Sequence, residues 1–265
     1  VMESNGSLPI QGGVAAEHDG CPVRAFLSRA IEPPAPQATK QALEILRTIG
    51  ALADGERLTV LGKHLAGLPL PPQLGKLLLY GEIFSCLDSV LTSAGCSAYR
   101  SPWVVPVDSH KRSKADKARG AFGLGAEGSD HLAMVRAFDQ WRDCKRGVGG
   151  GSPWRFCDQN FLSPGTMNMV DGMRMQILSG LRDAKVAGNL RESSMHCSAG
   201  VVRAVLGCGY YPQIGFLKRM LRELQRNSKN KMRPSLMTKR GETVRIHPQS
   251  LASKRDTSND AEEEA

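Results

Sequence analysis

Ser163-Pro164, followed by Met167, Val170, Met173, Ile177, Leu178 and Leu181, constrains this chain more than any other stretch. A serine hydroxyl can accept a hydrogen bond from a first-turn amide. Proline suits the first helical position, where its missing N–H costs nothing. The apolar residues that follow recur at helical spacing, which predicts a helix over 166–186 with one buried face. The same grammar recurs along the chain. A helix is expected over 37–50, with Ala38, Leu43, Leu46 and Ile49 inward and Gly50 ending it. Thr59 caps a short helix through Ala66, with Leu61 and Leu65 inward. Ser129 and Asp130 precede a helix over 132–144 that buries Leu132, Val135, Phe138 and Trp141. Ser198 caps another through Leu206. A chain written this way folds mainly as helices.

The connecting stretches are equally marked. Pro33, Pro34 and Pro36 break the chain before the first helix, and Pro69, Pro71 and Pro72 after the Thr59 helix. That helix pair, within a span of about 45 residues, suggests a winged-helix unit, although many helical pairs share the pattern. Residues 73–98 read as helical, with Leu74, Leu77, Leu78, Ile83, Leu87 and Leu91 apolar and with Gly81 and Gly95 weakening or breaking the run. A proline-containing loop over 100–108 leads to a basic helix over 111–122, and 147–152 is a glycine loop. Alternation over 243–246 predicts one β-strand. Residues 1–21 are expected to be disordered or a loop, and those from about 251 onward to be disordered.

Charge supplies the functional hint. The 265 residues carry 35 Lys and Arg against 26 Asp and Glu, a net charge of +9. Such an excess favours a polyanionic partner, most simply nucleic acid. It is concentrated in Lys218, Arg219, Arg222, Arg226, Lys229, Lys231, Arg233, Lys239, Arg240 and Arg245, with a second basic stretch over 100–119 and an acidic one over 256–264. Lysine and arginine in such a cluster bind phosphates and release counterions; the plain alternative is a basic linker. Trp103 and Tyr211 are candidate stacking residues for single-stranded bases, with buried packing the plainer role. The seven cysteines contain no Cys-x-x-Cys pair, which argues against paired zinc ligands. Flanked by apolar residues, they read as reduced thiols of a cytoplasmic or nuclear protein. No signal peptide or membrane-length apolar run is visible. His131 reads as part of a helix start, and Cys157 lacks the third group that a Cys–His nucleophile requires. Asp54 and Glu56 read as solvated surface.

A set of short segments in fixed order adds a family resemblance. The run opens with Phe26-Leu27-Ser28, Pro33-Pro34, Leu58-Thr59-Val60-Leu61-Gly62, Leu68-Pro69 and Gly75-Lys76. It continues through Ser129-Asp130-His131-Leu132 and Cys157-Asp158-Gln159-Asn160-Phe161-Leu162. It closes with Gly209, Tyr211-Pro212 and Val244-Arg245-Ile246-His247-Pro248. Together they resemble the accessory region that follows the motor domains of DEAH-box ATP-dependent RNA helicases. The resemblance implies a mainly α fold: a winged helix over 22–72, a helical ratchet bundle over 73–208 and a truncated OB-fold start over 209–250. Residues 1–21 are unmatched, and an acidic tail occupies 251–265.

By the same resemblance, Arg155, Asn160 and Arg174 lie on a ratchet surface near the RNA channel. With Lys218, Arg219, Arg222, Lys239, Arg240 and Arg245 they form the expected RNA-binding set. The implied partners are single-stranded RNA, RecA-like motor domains normally in the same chain, and an activator protein. No Gly-x-x-x-x-Gly-Lys-Ser/Thr or Asp-Glu-x-His segment occurs. ATP and Mg are therefore implied only for motor domains that this chain lacks, and no catalytic, cofactor or metal residue is expected. The alternatives are a stand-alone protein-interaction module and a non-functional truncated product.

Overall fold

A computed structural model describes residues 23–123, 128–148, 151–186, 197–216 and 235–253. The expectations for 1–21, for the tail beyond 253 and for the basic residues from Lys218 to Arg233 lie outside these ranges. The chain divides into two compact units between Lys76 and Leu77.

In the first unit, α1 (Val23–Leu27) precedes α2 (Pro36–Thr48) and α3 (Val60–Ala66). Gly50 follows α2 at φ +82, the left-handed geometry that terminates helices and that glycine adopts without steric cost. Thr59 caps α3 by accepting from the Gly62 amide at 3.0 Å, while its own hydroxyl donates to the Gly50 carbonyl at 2.6 Å. Between the helices a β-bridge joins Leu52 to Leu58 around a 3₁₀ turn, Asp54–Glu56. Glu56 is not merely solvated, because its carboxylate accepts from the Val23 amide at 2.7 Å. Leu43, Ile49, Ala51, Leu65 and Leu68 are buried and form this unit's core.

Helix α4 (Pro72–Ile83) runs across the division between the units. The helical stretch expected over 73–98, weakened or broken at Gly81 and Gly95, is two helices, α4 and α5 (Leu87–Ala98). The break falls at Ser85, where φ is +53, and neither glycine causes it. Gly81 lies inside α4 at a close approach: a Cβ there would sit 3.1 Å from the Val90 side chain and 3.3 Å from the Leu87 backbone. Helix α5 is buried from Leu87 to Cys96 apart from its residue 89. It packs against α7 (Asp130–Lys145) and α9 (Pro164–Asp183). The basic helix α6 (Ser109–Gly123), α8 (Pro153–Gln159) and α10 (Ala199–Tyr210) complete the bundle. The serine caps form as expected: Ser129, Ser163 and Ser198 each accept from the amide three residues on. The core gathers Phe122, Phe138, Trp141, Leu162, Met167 and Val170.

Two expectations at the C-terminal end are corrected. In place of one strand, β1 (Gly215–Phe216), β2 (Ser235–Thr238) and β3 (Thr243–Arg245) form an antiparallel sheet in that order. Leu236 pairs with Val244, and a tight turn with Gly241 at φ +83 joins the last two strands. Disorder does not begin at 251 either. Leu251–Ser253 forms a 3₁₀ turn, and Leu251 is buried in the core with Phe122. Among the described residues, no helix is long and apolar enough to cross a membrane.

Candidate nucleic-acid interface

Helix α6 carries the densest described positive charge. Lys111, Lys114 and Lys117 recur every three residues, so they are neighbours on the helix surface, and all are exposed with Arg112. The helix starts where Asp108 accepts from the His110 and Lys111 amides at 2.7 and 3.2 Å. Its inner face is anchored by the buried Ala115 and Phe122.

Beside α6 lies a cleft of about 250 Å³. Trp103, Val105 and Pro106 form one wall, Arg112 and Arg119 another. Pro248 and Gln249 close it from the C-terminal segment. The Trp103 strip is fixed by a bridge to Leu162 and by the Val104 amide, which donates to the Phe161 carbonyl at 2.8 Å. The indole packs on Phe122 with ring centres 5.7 Å apart, and the Arg119 guanidinium lies 5.6 Å from the indole centre. Arg119 Nη2 also donates to Asp130 at 2.8 Å. Asp130 in turn accepts from the Ser250 hydroxyl at 2.5 Å and the Leu251 amide at 3.0 Å. One carboxylate thus ties the C-terminal segment to α6 and α7. Trp103 Nε1 and Arg119 Nε are buried and meet no acceptor among the described residues. Arg112 donates through Nε to the Pro106 carbonyl at 3.3 Å and stands at the mouth, where a second, shallower depression is lined by Ser109, Ser113 and Lys117.

The residues expected at the interface scatter. Arg155 is exposed on α8. Asn160 ends that helix and donates through Nδ2 to the Phe156 carbonyl at 2.9 Å. Lys239 and Arg240 are exposed at the sheet turn and Arg245 on β3. Lys239 Nζ donates to the Tyr211 hydroxyl at 2.5 Å and lies 4.9 Å from its ring centre.

Arg174 is a correction, because it lies on no surface. It is buried, donating to the Asp88 carboxylate at 2.5 Å and the Asp88 carbonyl at 2.7 Å, and also to the Thr92 hydroxyl. Its guanidinium sits 4.8 Å from the Phe138 ring centre. Arg142 completes the cluster, donating to both Asp88 carboxylate oxygens at 3.1 and 2.8 Å. Burial pushes the Asp88 carboxyl up, but the Arg142 hydrogen bonds and the charges of Arg174 and Arg142 outweigh it, and the net shift is downward. The group is a structural clasp between α5, α7 and α9.

His131 and Cys157 do not meet as a nucleophile pair. His131 Nδ1 is hydrogen-bonded to Ser93 Oγ at 3.0 Å, and its ring stacks on Tyr210 at 5.4 Å. Burial holds its pKa below the usual histidine value. Cys157 is fully buried, and burial pushes its thiol up to about 11, so it stays protonated.

Comparison with known proteins gives the family. The helicase-associated (HA2) winged-helix model matches residues 42–70, and the ratchet-like HA2 model matches residues 71–134. The chain carries the helicase-associated domain of DExH-box RNA helicases. The matched ratchet segment of this helicase-associated domain ends inside α7 and contains the whole of α6, the Trp103 strip and Asp130. The DExH-box ATP-dependent RNA helicase DExH1 of Arabidopsis thaliana is 39% identical over 232 residues, which is 86% of this chain and 22% of that protein. DExH6 from the same plant is 36% identical over 86% of this chain and 17% of its own length. The human ATP-dependent DNA/RNA helicase DHX36 is 33% identical over 85% of this chain and 22% of its own. The chain therefore spans about a fifth of the length of these relatives.

Proposed function

We propose that this chain is the accessory RNA-binding region of a DExH-box RNA helicase, holding single-stranded RNA by its backbone while motor domains drive unwinding. The observation that carries the reading is the exposed cationic face of α6, Lys111, Arg112, Lys114 and Lys117, on a rigid helix inside the helicase-associated domain. Lysine and arginine on a fixed scaffold bind phosphates whatever the sequence, which suits a grip that must slide. Arg155, Asn160, Lys239, Arg240 and Arg245 extend the candidate surface. The partners are single-stranded RNA and RecA-like motor domains, with an activator protein as a further one, in an intracellular setting. The sequence contains no Gly-x-x-x-x-Gly-Lys-Ser/Thr or Asp-Glu-x-His segment, and this reading leaves ATP hydrolysis to the motor domains.

Fluorescence anisotropy of a labelled single-stranded oligoribonucleotide tests the reading. Affinity should fall steeply with rising salt. Affinity that stays flat with salt, or no binding at all, sinks it in favour of a protein-interaction module.

A further inference from the structure

We propose that the cleft between Trp103 and Arg112 receives one unpaired base of the bound strand, with the adjoining phosphate on the Arg112–Lys117 side of α6; this rests on the grip reading above. The cleft's shape and chemistry carry the proposal. At about 250 Å³ it is smaller than the roughly 300–1,000 Å³ of sites that take drug-sized ligands, which leaves room for one planar group. One wall is apolar and aromatic, from Trp103, Val105, Pro106 and Phe161, as a base face requires, and Arg112 and Arg119 face it.

The polar groups point to the same ligand. Arg112 stands at the mouth, and beyond it the second depression offers Ser109, Ser113 and Lys117, hydroxyls and a cation suited to phosphate. Asp116 is the one carboxylate in either lining, set among the cations Arg112, Lys117 and Arg119. A base inside a duplex is stacked and paired, so only a single strand can supply one.

The chain reports on its own cleft. Of its tryptophans, Trp141 is 1% exposed and Trp154 is 67% exposed. Trp154→Phe leaves Trp103 as the emitter at the cleft. In that background, uridine monophosphate and a short oligouridylate should both quench the emission saturably, and inorganic phosphate and an abasic ribose-phosphate oligomer should not. The deoxy oligomer should quench equally, since the cleft contacts base rather than sugar. Arg112→Ala should abolish the quenching and weaken oligomer binding about tenfold, with the near-ultraviolet circular dichroism unchanged. Salt-dependent oligomer binding without quenching would overturn the cleft and leave the grip standing. Quenching by the monophosphate, with no tighter binding by the oligomer, would support the cleft and remove the grip.

Discussion

Asp88 shows how a single side chain decides the roles of two others. Its carboxylate holds Arg142 and Arg174 inside the bundle, and removing one partner of a buried charge group leaves the rest uncompensated. Asp88→Asn should cost about 3–5 kcal/mol in urea unfolding. Asp88 has a folded pKa below its ordinary 3.8, so its stabilisation is complete above that value and is lost as pH falls through the lower folded one. The variant should therefore lose less stability on acidification than the parent. His131 and Asp139 act oppositely around pH 6. Burial lowers the His131 pKa below 6.5, so its contribution fades as pH falls. Burial pushes Asp139 up to about 6, so its contribution fades as pH rises through that value. Between pH 7 and 5, Asp139→Asn should leave stability falling with pH, and His131→Gln should leave it rising; denaturant midpoints across that window check both. None of these roles was legible in the sequence. By the family resemblance Arg174 reads there as a surface arginine near the RNA channel, and only its contact with Asp88, 86 positions away in sequence, makes it structural.

Helices were legible wherever a cap and an apolar period agreed, as at Ser163-Pro164, because both signals are local. What depended on another element was not. Strand β2 lies in a basic stretch, and only its pairing with β1 and β3 makes it a strand. Leu251 follows a polar turn and is buried only because α6 and α7 receive it. The cost of a side chain at a glycine depends on a neighbouring element in the same way. Gly207 and Gly209 both lie inside α10, yet a Cβ at Gly207 meets nothing within 4 Å, while one at Gly209 falls 3.0 Å from the Leu77 backbone. Gly207→Ala should stabilise by about 0.5–1 kcal/mol through helix propensity. Gly209→Ala should destabilise by about 1–3 kcal/mol, because the α4 backbone cannot yield as a side chain could. Thermal melts of the two variants should move in opposite directions; equal shifts would contradict the close approach of α4 and α10.

At the scale of the whole chain, the net charge of +9 favours an anionic partner without saying which surface would meet it. The basic stretch over 100–119 was legible and becomes the α6 face, but the cleft was not. Its walls come from positions near 103, 112–119, 161 and 248, which only the folded chain brings together. Two charge clusters now compete for the role of phosphate contact. On α6, Lys111, Lys114 and Lys117 are exposed on one rigid helix. At the sheet, Lys239, Arg240 and Arg245 are exposed too, but Lys239 is held by the Tyr211 hydroxyl. For a single strand, the slope of log affinity against log salt changes by about 0.7 for each phosphate contact. Replacing the three α6 lysines by glutamine should flatten the slope by about 2, and the same exchange at the three sheet residues should flatten it by less. Anisotropy titrations across a salt series measure both slopes. A parent slope unchanged in the α6 variant would move the grip off that helix, whereas a larger effect at the sheet would assign the RNA path to the C-terminal strands.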